Sequence, residues 1–164
     1  MSDVILELRG ITKIFPHPEK PVIANDHVSL TLRKGEIHAL VGENGTGKST
    51  LMNILYGILQ PEEGEILLNG ERKTFKNPRD AIAAGIGMVH QHFMLIPSFT
   101  VAENLVFAFE PKKGMFVDKK KAVEIAREIS GRDKLYIYPG KKNSECSLSK
   151  QARGGILKIL FPRA

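Results

Sequence analysis

One stretch, Gly42-Glu43-Asn44-Gly45-Thr46-Gly47-Lys48-Ser49-Thr50, constrains this chain more than any other. It fits G-x-x-x-x-G-K-[ST], a loop that wraps a polyphosphate between a strand and a helix. The flanks agree with that context. Glu36-Ile37-His38-Ala39-Leu40-Val41 reads as a short apolar strand feeding the loop. Beyond it, Leu51, Ile54, Leu55 and Ile58 recur at helical spacing. Glycine tolerates the turns that point several backbone N–H groups at one anion, and a helix N-terminus adds partial positive charge. Gly42, Asn44, Gly45, Thr46, Gly47, Lys48, Ser49 and Thr50 are therefore the candidate nucleotide-binding residues. Lys48 is expected to reach the β- and γ-phosphates and the Ser49 hydroxyl to ligate Mg²⁺. The chain is expected to bind a nucleoside triphosphate.

Composition excludes little, but it does set bounds. At 164 residues the chain has room for a real core, and 42% hydrophobic and 26% charged residues are ordinary for a globular protein. No apolar run reaches the length of a membrane span, and no secretory signal pattern opens the chain. Cys146 is the single cysteine, which rules out an intrachain disulfide and fits a reducing compartment. Charge is uneven: residues 1–110 hold 10 Lys/Arg against 13 Asp/Glu, residues 111–164 hold 14 against 5. No aromatic residues are interleaved with the basic ones as stacking platforms, so a solvated helix face and a docking surface are expected there, not nucleic acid.

Local signals lay out the rest. Val4–Leu8 and Val28–Leu32 read as strands, and Glu65–Leu68 and Glu71–Phe75 as a hairpin around Asn69-Gly70. Asn77-Pro78 reads as a helix start with Gly85 as its stop, and Ile86–His90 as a short buried strand running into Gln91. Thr100 and Glu103 have capping-box spacing for a helix to about Phe109. Asp118 is expected to cap a helix over 119–129 with Ala122, Ile125, Ala126 and Ile129 on one face. Residues 148–160 read as helical but interrupted by Gly154-Gly155.

The order of these pieces, with Gly85-Ile86-Gly87-Met88-Val89-His90-Gln91-His92-Phe93 and Leu95-Ile96-Pro97-Ser98-Phe99-Thr100-Val101-Ala102-Glu103-Asn104-Leu105, closely resembles an ABC transporter nucleotide-binding subunit. The phrase around His90-Gln91-His92 resembles the importer subgroup for simple sugars and nucleosides, whose members carry two cassettes in one polypeptide; this chain resembles the N-terminal one. The resemblance implies an α/β fold: a P-loop NTPase, RecA-like core with an antiparallel β subdomain and a partial helical subdomain. The implied division is a single incomplete nucleotide-binding domain over 1–164, with the ATP-binding core and β subdomain over 1–92 and the helical subdomain over 93–164.

It also implies roles. Phe15 falls where the family stacks an aromatic on adenine. Gln91 matches the glutamine that ligates Mg²⁺ and helps place the attacking water, which makes Lys48 and Gln91 the catalytic candidates. His90 and His92 flank it, with no third residue to complete a metal site. Ser147 falls in the signature motif, whose serine contacts the γ-phosphate held by the opposite cassette. There the sequence departs from the family: Ser149 replaces a glycine and Cys146 a hydrophobic residue, while Gln151 and Arg153 agree. The segment Met115-Phe116-Val117-Asp118 superficially resembles a Walker B strand, but its basic surroundings favour Asp118 as a helix cap. The family's Walker B aspartate and catalytic glutamate follow the signature helix and do not occur before Ala164, so negligible hydrolysis by this chain alone is expected. The implied partners are transmembrane permease subunits, a second cassette and, indirectly, an extracytoplasmic solute-binding protein, and the implied place is the cytoplasmic face of the membrane. A nucleotide-binding or permease-docking piece without turnover is the alternative. A small P-loop kinase or GTPase using Asp118 is a third, and no N-K-x-D guanine motif supports it.

Overall fold

The computed structural model describes residues 3–89, 95–107, 111–113 and 116–161, which fall in two compact units, 1–86 and 87–164. The first unit is built on a long strand, β1 (Val4–Phe15), that pairs antiparallel with β2 (Val22–Arg33) on one side and β3 (Glu63–Leu68) on the other. A short β4 (Glu71–Lys73) completes the order β2-β1-β3-β4. The β3–β4 hairpin turns at Asn69-Gly70 with φ of 53° and 80°. Two successive positive φ values make the tight turn whose twist matches the flanking strands, as the Asn-Gly pair predicts.

One face of this sheet is covered by α1 (Lys48–Leu55), which buries Leu51 and Ile54 against Leu8, Ile11, Ile66 and Phe75. Contacts of this kind remove apolar surface from water and are the main stabilising term of the unit. Helix α2 (Pro78–Ala83) starts as expected: the Asn77 side chain accepts from Arg79 N and Asp80 N, and Pro78 opens the first turn. Gly85, at φ 95°, follows its C-cap.

Two expected strands do not form. Among the described residues, 36–41 and 86–89 have no strand pairing, with Ile37 98% and Val41 89% exposed. Their apolar runs are those of strands buried on both faces of a parallel sheet, and such a strand needs neighbours on either side. Among the described residues no parallel pair is present to supply them.

Among its described residues, the second unit packs three α-helices around one core. Helix α3 (Val101–Val106) opens with a complete capping box: Thr100 Oγ1 accepts from Glu103 N and the Glu103 carboxylate accepts from Thr100 N at 2.8 Å. Asn104, buried within α3, accepts from Ile96 N at 2.7 Å and donates to Ile96 O at 3.0 Å, which ties the preceding loop to the helix. The short strands β5 (Lys112–Lys113) and β6 (Phe116–Val117) pair antiparallel. Asp118 then caps α4 (Lys119–Arg132) by accepting from Lys121 N at 3.0 Å, so its carboxylate is a helix cap and not the end of a Walker B strand. The face of α4 read from the sequence is the buried one: Ala122, Ala126 and Ile129 pack with Leu105, Val106 and Leu157.

The last helix corrects an expectation. Helix α5 (Leu148–Leu160) runs unbroken through Gly154 and Gly155, both buried. A glycine in a helix interior costs about 1 kcal/mol relative to alanine. Here tertiary packing outweighs it: Gly154 lies on the α3 side, where an added Cβ would meet Leu95 Cδ1 at 3.6 Å and Val101 Cγ1 at 3.9 Å.

Candidate nucleotide-binding site

The loop 42–47 leads from an exposed segment into α1, and its geometry follows from glycine. Gly45 and Gly47 adopt φ of 84° and 82°, the left-handed region that side chains with a Cβ rarely enter. Gly47 is the N-cap of α1 and, having no side chain, supplies no cap bond to the helix's free N–H groups. The first turn also carries no acidic residue. A helix start with no side-chain cap and no acidic residue in its first turn suits an anion.

Lys48 lies inside the loop. Its Nζ donates to Gly42 O at 2.7 Å, to Glu43 O, and to Thr46 Oγ1 at 3.1 Å. Thr46 Oγ1 in turn donates to Glu43 O at 2.9 Å. An ammonium group has three protons, and these three oxygens take them all. The loop is thus closed around the cation, which is the arrangement a polyphosphate would enter by replacing protein oxygens with its own. A Cβ at Gly42 would stand 3.0 Å from Thr46 Oγ1, so a side chain there would push that hydroxyl a few tenths of an ångström out of the closed arrangement. Ser49 is exposed in the first turn of α1, Thr50 is half-buried beside it, and Asn44 is exposed at the loop's turn.

The loop is also held at both ends. At its approach, Glu36 accepts from Arg33 N at 2.8 Å and pairs with His38 Nδ1 at 3.0 Å. The Arg33 N–H first, and His38 second, hold the Glu36 carboxyl below the usual carboxylate range. At its far end Gly47 lies against β2: a Cβ on it would stand 2.1 Å from Ala24 O and 2.8 Å from Asn25 Nδ2. Sequence reading missed Ala24 and Asn25 as part of this site. The available signal was Asn25 beside Asp26 in the strand, two residue types depleted there, with Asn25 the buried one of the two.

Phe15 ends β1, half-buried, with the Lys13 ammonium 5.5 Å from its ring centroid. Lys13 is the register partner of Asn25, which donates to Gly47 O. Phe15 therefore belongs to the end of the sheet that carries the loop. Ser147 is the N-cap of α5, in the second unit, and makes no side-chain cap bond. Next to it, Gln151 Nε2 donates to Cys146 O at 3.0 Å and Asn143 O at 3.2 Å, and Lys150 Nζ lies 4.0 Å over the Tyr138 ring. Gln91, His90 and His92 lie outside the described residues.

Comparison with known proteins agrees with this geometry. Residues 25–164 match the ABC transporter family. The chain is 48% identical over 97% of its length to the guanosine import ATP-binding protein NupO of Bacillus subtilis (strain 168), of which it covers 30%. It is 45% identical over 98% of its length to the nucleoside import ATP-binding protein NupA of Lactococcus lactis subsp. cremoris (strain MG1363), covering 31% of that protein. It thus spans less than a third of the length of these curated relatives. Among solved structures, a nucleotide-free ATP-binding cassette from an ABC transporter superposes with a TM-score of 0.81 at 28% identity, covering 98% of this chain and 66% of the other. A dimeric cassette in a post-hydrolysis state with ADP and Pi gives 0.73 at 26% identity, over 97% and 70%. With the P-loop, the antiparallel sheet beside it and the capped helices of the second unit all in family order, the chain belongs to the ABC transporter family, as part of an ATP-binding cassette.

Proposed function

We propose that this chain binds MgATP and is the nucleotide-binding part of an import ATPase for nucleosides or simple sugars. The observation that carries the proposal is Lys48, held inside a glycine loop at the uncapped start of α1. In this reading the N–H groups of the loop and of the first turn receive phosphate oxygens, and Lys48 exchanges Gly42 O and Glu43 O for them. Mg²⁺ fits the same place: Ser49 offers an exposed hydroxyl at the helix start, and Gln91 would be the second protein ligand from the family pattern. The metal supplies charge neutralisation between the phosphates. Phe15 offers a ring face to adenine, and Ser147 would contact a nucleotide bound by a second cassette.

The solute class rests on the relatives, which are import ATP-binding proteins for guanosine and for nucleosides. Other relatives are putative ribose/galactose/methyl galactoside and galactose/methyl galactoside import proteins. Transmembrane permease subunits and a second cassette are the partners proposed, with a solute-binding protein acting through the permease. Among the described residues no helix is long and apolar enough to cross a membrane. The proposed place is the cytoplasmic face of the membrane, against the permease.

One observation favours a second reading for the 164 residues tested alone, binding without turnover. Asp118, the carboxylate that resembled a Walker B aspartate, is engaged as a helix cap. The same bond argues against a kinase or GTPase that would use Asp118 on Mg²⁺. Equilibrium titration with a fluorescent ATP analogue and Mg²⁺, beside Lys48→Ala, tests the binding claim. Saturable binding that Lys48→Ala weakens about tenfold or more is expected, the scale of a charge-assisted hydrogen bond. Equal binding by both forms, or none by the unaltered chain, refutes it. Phosphate release at a rate dependent on Lys48 would refute the reading without turnover.

A further inference from the structure

Asn25 is 5% exposed on β2, and its amide is half used. Nδ2 donates to Gly47 O at 3.3 Å, and since a carbonyl only accepts, this contact fixes which end of the amide is nitrogen. Oδ1 is buried and, among the described residues, has no hydrogen-bond partner. Burying an amide oxygen unpaired is costly, and Gly47 O does not need the bond, because Leu51 N already donates to it at 2.9 Å. A purely structural role for this asparagine is therefore a poor one. What the bond does hold is the carbonyl of the left-handed Gly47, and with it the plane of the Gly47–Lys48 peptide at the mouth of α1.

Building on the nucleotide-binding reading, we propose that Asn25 is a positioning residue for phosphate binding. It fixes the Gly47–Lys48 peptide so that the loop's N–H groups converge, at some expense in stability. Neither Asn25 nor β2 touches the nucleotide in this proposal; the effect passes through Gly47.

Two substitutions separate this from a structural role. Asn25→Leu removes the unpartnered oxygen and the Gly47 bond together, and Asn25→Ala does so without added volume. Inorganic tripolyphosphate, which reports the phosphate loop without the base, is titrated by calorimetry into the unaltered chain, both variants and Lys48→Ala, alongside thermal unfolding. The expected result is affinity weakened about three- to tenfold in both variants, the scale of one net hydrogen bond. Asn25→Leu is expected to unfold no earlier than the unaltered chain. Unaltered affinity in either folded variant overturns the proposal. Loss of affinity only in proportion to lost thermal stability also overturns it, in favour of a structural role. If the unaltered chain and Lys48→Ala bind tripolyphosphate equally, the nucleotide reading itself falls and this one with it.

Discussion

Gly45 and Gly47 have nearly the same backbone, φ 84° and 82°, yet their surroundings differ completely. A Cβ at Gly45 meets nothing within 4 Å, whereas a Cβ at Gly47 would stand 2.1 Å from Ala24 O. Alanine at either site incurs the left-handed penalty of about 1–2 kcal/mol. At Gly47 the overlap with strand backbone must also be relieved by moving β2 or the loop. Overpacking of that kind adds about 1–3 kcal/mol. Gly45→Ala should then cost about 1.5 kcal/mol and Gly47→Ala about 3.5 kcal/mol. For a chain of this size that lowers Tm by about 3–6 °C and about 7–14 °C respectively. Thermal unfolding by far-ultraviolet circular dichroism, repeated with tripolyphosphate present, measures both. Ligand should raise Tm for Gly45→Ala more than for Gly47→Ala, whose loop has been pushed off β2. Equal Tm losses in the two variants would refute the claim that the close approach to Ala24, and not φ alone, requires glycine at position 47.

Three further outcomes follow from the second unit. Gly154→Ala should raise stability by about 0.5–1 kcal/mol in urea unfolding, because the added methyl finds only ordinary contacts at 3.6 and 3.9 Å and gains helix propensity. Thr100→Ala should lower it by about 1 kcal/mol by removing the capping box, and a chain unaffected by that change would show the box to be idle. Glu103 is held below its ordinary 4.5 by the Thr100 N–H and then by Lys119. A carboxyl with a lowered folded pKa contributes stability that is present above its unfolded pKa and lost as pH falls through the folded one. The Tm difference between the unaltered chain and Glu103→Gln should thus narrow as pH falls from about 6 to about 3, and a constant difference would refute the assignment.

Signals with a short physical range were legible in the sequence. Asn77-Pro78, Thr100 with Glu103, and Asp118 each satisfy helix N–H groups two or three residues away, so their energetics do not wait for the rest of the fold. The Asn69-Gly70 turn and the glycine loop are likewise local, since the residues that need positive φ are the ones that supply it. Gln91 rests on the family pattern alone and lies outside the described residues.

What tertiary structure decided has a common cause, dependence on neighbours distant in the chain. Residues 36–41 carry a strand's pattern, but a strand forms only against partners, and the pattern cannot say whether they are there. Gly154-Gly155 reads as a break because propensity favours one, and packing against Leu95 and Val101 reverses the balance. Asn25 lies before the strand read at Val28–Leu32, and only the approach of Gly47 across the sheet end gives its amide a task. The sequence by itself determined the glycine loop with Lys48 behind it, the place proposed for phosphate, and where the α-helices start. The tertiary structure alone decided what supports the loop from behind, because that support comes from a strand more than twenty residues earlier.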